Sequence, residues 1–331
     1  MSTIRDIAKT VRVSVSTVSL ALNGDARVRA STRDRILAVA HELDYRPNRA
    51  ARSLSSGKAW TLDVINPAID ASLSSSFSTR FLHGIHDTAR AASYGVSLQI
   101  VNDEEEAVRV VRHLILEHAT DGLVLMNPSD DRALVEHLAQ ARFPYVVLGR
   151  VDHPSARSVD NDNVAVGADA TAALLDKGLD PILFLTGPER STMTIDRTAG
   201  HVRALAERRP GAEPVVRATD GTATAARRRV RDMLSDGIQV RSVLALHDGM
   251  AVGALRGVRD VGLAVPADIA VMGMNNDDLT EFTDPALSSV ELHAYELGRR
   301  SAEALLAAID DPASGPSRVQ VAHELIFRES V

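Results

Sequence analysis

Thr3-Ile4-Arg5-Asp6-Ile7-Ala8-Lys9 and, after four intervening residues, Ser14-Val15-Ser16-Thr17-Val18-Ser19-Leu20-Ala21-Leu22-Asn23 form the stretch from which the rest of the chain can be read. In the first segment Ile4, Ile7 and Ala8 recur at i, i+3 and i+4, one apolar face of a short helix. In the second, Ser14 is a good N-cap, Val18, Ala21 and Leu22 make the buried face, and Asn23-Gly24 is a stop signal. Two short helices joined by a tight turn are a helix-turn-helix, whose second helix can enter the major groove of DNA. The residues off its apolar stripe, Val15, Ser16, Thr17, Ser19 and Leu20, are mostly small, so backbone and bases can approach closely. Alone, the same pattern would also suit a helical hairpin buried in some larger core.

The following residues favour DNA. Ser31-Thr32-Arg33-Asp34 predicts a capped helix start, and Ile36, Leu37, Val39, Ala40 and Leu43 give a third helix with a core face. Tyr45-Arg46-Pro47-Asn48 ends it, since the residue before proline avoids the helical region. Residues 48–58 could make about two helical turns, too few to be stable alone, so they predict a linker that folds only when held. Residues 1–60 carry 11 Lys+Arg against 5 Asp+Glu, whereas the whole chain carries 37 against 44, leaving the remainder at a net −13. A basic head on an acidic body suits one face for phosphates and a body kept off the polyanion.

Thr-Ile-Arg-Asp-Ile-Ala at 3–8, Val-Ser-Val-Ser-Thr-Val-Ser-Leu-Ala-Leu-Asn at 13–23 and Tyr-Arg-Pro-Asn-Arg-Ala-Ala-Arg-Ser-Leu at 45–54, in this order, resemble the lactose repressor (LacI/GalR) family of bacterial transcription regulators. The resemblance implies a hinge helix at 48–58 that orders on the operator, with Leu54 as the wedge that enters the minor groove and kinks DNA. It also implies contacts to DNA from Thr3, Ser14, Val15, Ser16, Ser19, Leu20, Asn23, Val28, Arg29, Thr32, Tyr45, Asn48 and Ala51; Thr17, on the exposed side of the second helix, joins them. Two positions depart from the family pattern. Leu20 stands where many members have an arginine that could bind guanine bidentately, which predicts an apolar contact instead. Arg12 occupies a turn position that is often glycine and calls for a positive φ.

From about Trp60 the chain alternates apolar runs with helical patterns. Leu62–Ile65, Val96–Val101, Gly122–Met126 and Tyr145–Gly149 read as strands, with helices at Phe81–Ala92 and Glu105–His118. After residue 163 the alternation repeats through strands at 182–186, 215–218, 242–245 and 269–272, and Leu325–Ser330 reads as a closing strand. Such alternation means parallel sheets with helices on both faces. The predicted architecture is thus an all-α helix-turn-helix head (1–47), a hinge (48–58) and an α/β body (59–331) of two doubly wound subdomains. Those are about 59–162 plus 291–322, and about 163–290 plus 323–331. The resemblance implies the periplasmic-binding-protein fold for this body, an effector in the cleft between its halves, and a homodimer.

Ligands of open α/β sheets bind beyond the carboxyl ends of strands. The loop-to-helix run Gly187–Gly200 resembles the family element whose arginine clamps the effector, and Arg197 is the matching residue; its five donors suit hydroxyl pairs or a carboxylate. Arg150, just after a strand, is a second candidate. His247 stands where relatives often have an amide, and Asn275 replaces an aspartate that commonly accepts bonds from sugar hydroxyls. Phe77 is the lone aromatic near the first strand and a candidate platform. With Asp162 and Asp248 nearby, these residues predict a small sugar or sugar derivative as effector, an acidic one suiting Asn275 better than it would an aspartate.

Other classes are disfavoured. With no cysteine there is neither a disulfide framework nor a thiolate site, and no apolar run is long enough for a membrane span. The polar, helix-forming N-terminus is unlike a signal peptide, so a cytoplasmic protein is expected. No P-loop, Gly-x-Gly-x-x-Gly, His-Glu-x-x-His or Gly-x-Ser-x-Gly motif occurs, and neither an enzyme nor a cofactor or metal is expected. Asp103-Glu104-Glu105-Glu106 reads as the charged first turn of a helix. A solute-binding protein without a DNA role is the alternative for the body, but it would have no use for residues 1–58. The expected function is a ligand-controlled transcription regulator, most simply a repressor.

Overall fold

A computed structural model describes residues 3–22, 25–45, 53, 56–67, 75–126, 133–154, 156–187, 191–311 and 315–331. Asn23, Asn48, Ala51 and Leu54, all expected at DNA, lie outside the described residues. The chain divides into two compact units, 1–60 and 61–331.

The first unit contains α1 (Ile4–Val11), α2 (Val15–Leu22) and α3 (Ala30–Glu42). Ile7, Val11, Val18, Ala21, Val28 and Ile36 close a small core from all three helices. At the start of α1 the Asp6 carboxylate accepts from both the amide and the hydroxyl of Thr3 at 2.8 Å, and these bonds hold its pKa below the usual carboxylate range. Ser14 caps α2 by accepting from the Thr17 amide at 3.0 Å. Two expectations fail here. α3 begins at Ala30 behind Arg29, without a side-chain cap, instead of at a Ser31–Asp34 capping box. Leu37 is 45% exposed and takes no part in the core. Arg33 instead pins the loop before α3, donating to the Asp25 carbonyl at 2.6 Å.

Arg12 ends α1 at φ 58°, ψ 49°, the left-handed region its position suggested. An L side chain there costs roughly 1–2 kcal/mol, partly offset against glycine by the smaller backbone entropy that arginine loses on folding. Arg12→Gly is therefore expected to stabilise the head by about 0.5–1 kcal/mol, read as a higher Tm of the isolated head. A lower Tm would mean that the arginine side chain outweighs its backbone strain.

The second unit holds two parallel sheets. The larger has β1 (Thr61–Pro67), β2 (Gly95–Val101), β3 (Gly122–Met126), β4 (Tyr145–Leu148), β5 (Ser158–Asn161) and β11 (Arg318–Val321), in the order β11-β5-β4-β3-β1-β2. The smaller has β6 (Ile182–Thr186), β7 (Val215–Ala218), β8 (Ser242–Ala245) and β9 (Ala270–Met272), in the order β7-β6-β8-β9. An antiparallel pair, β10 (Ser289–Glu291) and β12 (Glu324–Ile326), completes the strands described. The helices are α4 (Ser76–Ala91), α5 (Glu104–Leu116), α6 (Ala133–Gln140), α7 (Asn163–Asp176), α8 (Thr192–Arg208), α9 (Ala223–Ser235), α10 (Asp248–Asp260) and α11 (Ala294–Asp310). Asp103 caps α5, accepting from the Glu106 amide at 2.7 Å, so that acidic run is a helix start. β5, α6, β10 and β11 carried no clear pattern in the sequence, and the closing strand is only three residues long.

Three helix pairs cross at glycines. A methyl group on Gly84 of α4 would stand 2.1 Å from the Tyr295 carbonyl of α11, and one on Gly298 of α11 would stand 2.0 Å from the Phe81 carbonyl of α4. Gly167 of α7 and Gly200 of α8 face the Arg197 and Val164 carbonyls in the same reciprocal way, at 2.1 and 2.0 Å. On α10, Gly253 meets the Ala223 carbonyl of α9 at 2.1 Å. Backbone thus lies on backbone, which fixes where each helix presents its side chains. Among the described residues no helix is long and apolar enough to cross a membrane.

Candidate functional site

On the first unit, α2 presents one face outward. Ser14, Val15 and Ser16 are exposed, Val15 at 42%, while Thr17, Ser19 and Leu20 are half-buried beside the Val18–Ala21 core stripe. Thr3 and Arg29 are exposed and Thr32 is half-buried. Val28 departs from expectation: at 7% exposure it belongs to the core of the head, so its side chain supports the reading helix instead of reaching outward. Tyr45 and Leu20 likewise pack against that core.

The second unit encloses a cavity of about 250 Å³ between the carboxyl ends of its sheets. Phe77, Arg197, His247 and Asn275, four of the five residues expected there, line it. Phe77 stacks on Phe81 with centroids 6.5 Å apart, and its amide donates to Asp277 Oδ1 at 2.8 Å. Ser76 donates to the same oxygen at 3.0 Å, so Asp277, from the segment after β9, caps α4 from across the cavity.

His247 is the N-cap of α10. Its Nδ1 accepts from the Met250 amide at 3.4 Å, which leaves the proton on Nε2 to donate to the Gly221 carbonyl at 3.0 Å. Asn275 holds φ 114°, its amide bonded to the Val290 carbonyl at 2.8 Å. Behind His247, Asp248 is fully buried, accepting from Ser289 Oγ at 2.6 Å and the Asp277 amide at 2.7 Å. Burial pushes its pKa well above the usual carboxylate value.

Arg197 is 2% exposed. Its Nε donates to Asn163 Oδ1 at 2.9 Å and its Nη1 to the Leu246 carbonyl at 2.7 Å. Burial draws its pKa down to about 10, against the opposing pull of Asp160 and Asp248. Asp160, at the end of β5 and 8% exposed, accepts from the Asn161 amide at 2.8 Å and from Asn163 Nδ2 at 2.9 Å. Burial raises its pKa to about 6 in spite of Arg197.

Arg150 is not in the cavity wall. Its Nε and Nη2 donate to the two Asp196 oxygens at 2.9 and 3.0 Å, a bidentate pair that ties the segment after β4 to α8. The arginine after the strand was legible, but not the aspartate that engages it. Sequence reading also missed Asp160, Asn163 and Asp277. For Asp160 and Asn163 the one available signal was position at the carboxyl end of β5 in a parallel sheet, but Ser-Val-Asp-Asn is too short and polar to announce a strand; Asp277 follows β9 instead. Ser78 lines the cavity as well, and its buried hydroxyl has no partner among the described residues. Among those residues no cluster of three or more metal-ligating side chains occurs.

Residues 3–48 match the bacterial regulatory proteins of the lacI family, and residues 171–331 match a periplasmic binding protein-like domain. Catabolite control protein A of Priestia megaterium is 30% identical over 331 residues, covering 99% of this chain and 98% of its own length. The regulator CelR of Thermobifida fusca is 29% identical, with 99% and 98% covered. Among solved structures, the lac repressor dimer bound to operator and an anti-inducer superposes with a TM-score of 0.84 at 26% identity, covering 99% of this chain and 98% of that one. The CelR–cellobiose complex gives 0.77 at 26% identity with both chains fully covered. With a relative of 30% identity aligned over nearly its whole length, and with the head and body each matching in turn, the chain belongs to the LacI family of bacterial transcription regulators.

Proposed function

We propose that the chain is a homodimeric repressor, working in the cytoplasm, that reads an inverted-repeat operator through residues 1–47 and is switched by a carbohydrate effector in the cavity of residues 59–331. The observation that carries the reading is the outward face of α2. Small polar side chains stand on a head whose core is complete without them, as a helix entering the major groove requires. Thr3, Ser14, Val15, Ser16, Thr17, Ser19, Leu20, Arg29 and Thr32 reach DNA in this reading. Asn23, Tyr45, Asn48 and Ala51 add contacts at its borders, and the Leu54 pair of the dimer wedges the operator centre. Phe77, Arg197, His247 and Asn275 hold the effector. The relatives support both halves, one solved with operator and one with cellobiose. Effector contact with Arg197 and His247 on one side and Phe77 on the other biases the two halves of the body, the differential state preference a switch needs.

Operator titration tests the DNA half. The chain lacking residues 1–58 should lose specific binding while keeping ligand-induced stabilisation, and Leu54→Ala should lose affinity by the few kcal/mol that a wedge supports. Binding of the full chain should fall about 10³-fold or more between 50 and 200 mM salt, as for several released counterions. Retained operator affinity in the truncated chain would remove the head as the reader.

A further inference from the structure

Asp160 is the feature of the cavity that the effector reading leaves without a role. Of the described lining residues, Arg197 is the only arginine or lysine, whereas Asp160 and Asp277 both line the cavity and Asp248 lies against its wall. The guanidinium spends Nε on Asn163 and Nη1 on Leu246, and its charge is opposed by Asp160 and Asp248. Asp160 Oδ1 has two donors, the Asn161 amide and Asn163 Nδ2, while Oδ2 has only a share of that same Asn163 amide, at 2.9 Å. A carboxylate oxygen with room for another donor thus sits in the wall beside the one cation.

We propose that Asp160 is the charge selector of the effector cavity, admitting an uncharged, hydroxyl-bearing ligand of monosaccharide size and turning away carboxylates and phosphates. The inference rests on the effector reading above and narrows its ligand class. A hydroxyl can donate to Oδ2 while accepting from a remaining Arg197 N–H, so neither buried charge is left without a partner. A ligand carboxylate or phosphate approaching Arg197 would place a second negative charge beside Asp160 in a poorly solvated wall. One of the two must then take a proton or the ligand must leave. Asn275, which donates and accepts, adds no charge on the opposite wall. The charged groups acting on Asp160 are Arg197 and Asp196, both on α8; Asp196 is itself held by Arg150, and Asn161 and Asn163 are neutral donors. With burial raising the Asp160 pKa to about 6, exclusion is in force at neutral pH and relaxes as the pH falls below 6.

Inorganic phosphate is the probe, applied to the full chain by thermal shift against chloride of equal ionic strength. At pH 7.5 wild type should show no phosphate-specific shift, and Asp160→Asn should gain about 2–4 °C at tenfold over Kd. Asp160→Asn combined with Arg197→Gln should lose that gain. Wild type at pH 5 should gain a shift that Arg197→Gln abolishes, and this arm decides alone should Asp160→Asn fail to fold. An Arg197-dependent shift in wild type at pH 7.5 overturns the proposal, as does absence of any shift from both Asp160→Asn and wild type at pH 5. A parallel screen in which no sugar of any charge stabilises the protein would remove the effector reading, a failure distinguishable from these outcomes.

Discussion

Gly200→Ala is expected to lower the Tm of the body by about 6–12 °C, as for a loss near 3 kcal/mol, the upper range of overpacking. The added methyl would stand 2.0 Å from the Val164 carbonyl and 2.8 Å from the Ala168 amide. Both are backbone atoms of α7, so no side-chain rotation relieves the clash. α8 must move away from α7, and Gly167 on the other side shows how close the approach is, facing the Arg197 carbonyl at 2.1 Å. Arg197 sits on α8 less than one turn before Gly200, so the same displacement pulls its guanidinium off Asn163 and Leu246. Ligand-induced stabilisation should therefore vanish along with stability. Gly315→Ala is the control: no heavy atom lies within 4 Å of its added methyl, and its Tm should match wild type. A Gly200→Ala protein melting with wild type would show that the α7–α8 crossing yields freely.

Those glycines illustrate what the sequence could not say. A glycine inside a helix pattern marks a weak point or a close approach, and only the partner helix decides which. The head was legible because its signals are local: three apolar stripes, a serine cap and a turn whose Arg12 does take up the left-handed backbone expected for it. The large strands were legible for a similar reason, since β3 and β6 are continuous apolar runs buried on both faces. β5 breaks that rule with three polar residues in four, and Asp160 and its neighbours were lost with it. Arg197 could be found through its loop-to-helix context, whereas its counter-charge 37 positions earlier depends on how the two sheets meet. Arg150 failed in the same way. Its position after a strand was read correctly, but Asp196 on α8 engages its guanidinium with two bonds. At Val28, a position implied to contact DNA, the side chain belongs to the small core that holds α2 in place, which leaves its backbone for any such contact.

Arg197→Met should destabilise the protein by about 3–5 kcal/mol at pH 8, as for the loss of a buried cation that bonds two buried acceptors and faces the buried Asp160 through space. Methionine keeps the apolar stem and ends about where the guanidinium begins, so the change removes the charge and its donors while leaving the stem packed. Part of the deficit is independent of pH: Asn163 Oδ1 and the Leu246 carbonyl lose their donor, roughly 1–3 kcal/mol for buried acceptors left unpaired. The rest follows the proton on Asp160. Its folded pKa, about 6, lies above the ordinary 3.8, so its contribution to stability is fully present below about pH 4 and is lost as pH rises through 6. Without Arg197 the folded pKa climbs further and the loss extends to higher pH. The deficit of the variant should accordingly be smallest near pH 5 and grow between pH 6 and 8. His201, one turn along α8, titrates in the opposite sense. Burial lowers its pKa to about 4, so its contribution is present above pH 6.5 and lost as pH falls toward 4. Because burial alone sets that shift, it is common to both proteins and cancels in their difference. Urea unfolding of wild type and variant at pH 5, 6.5 and 8 measures the difference directly. A deficit equal at all three pH values would show that Asp160 does not depend on Arg197 for its charge.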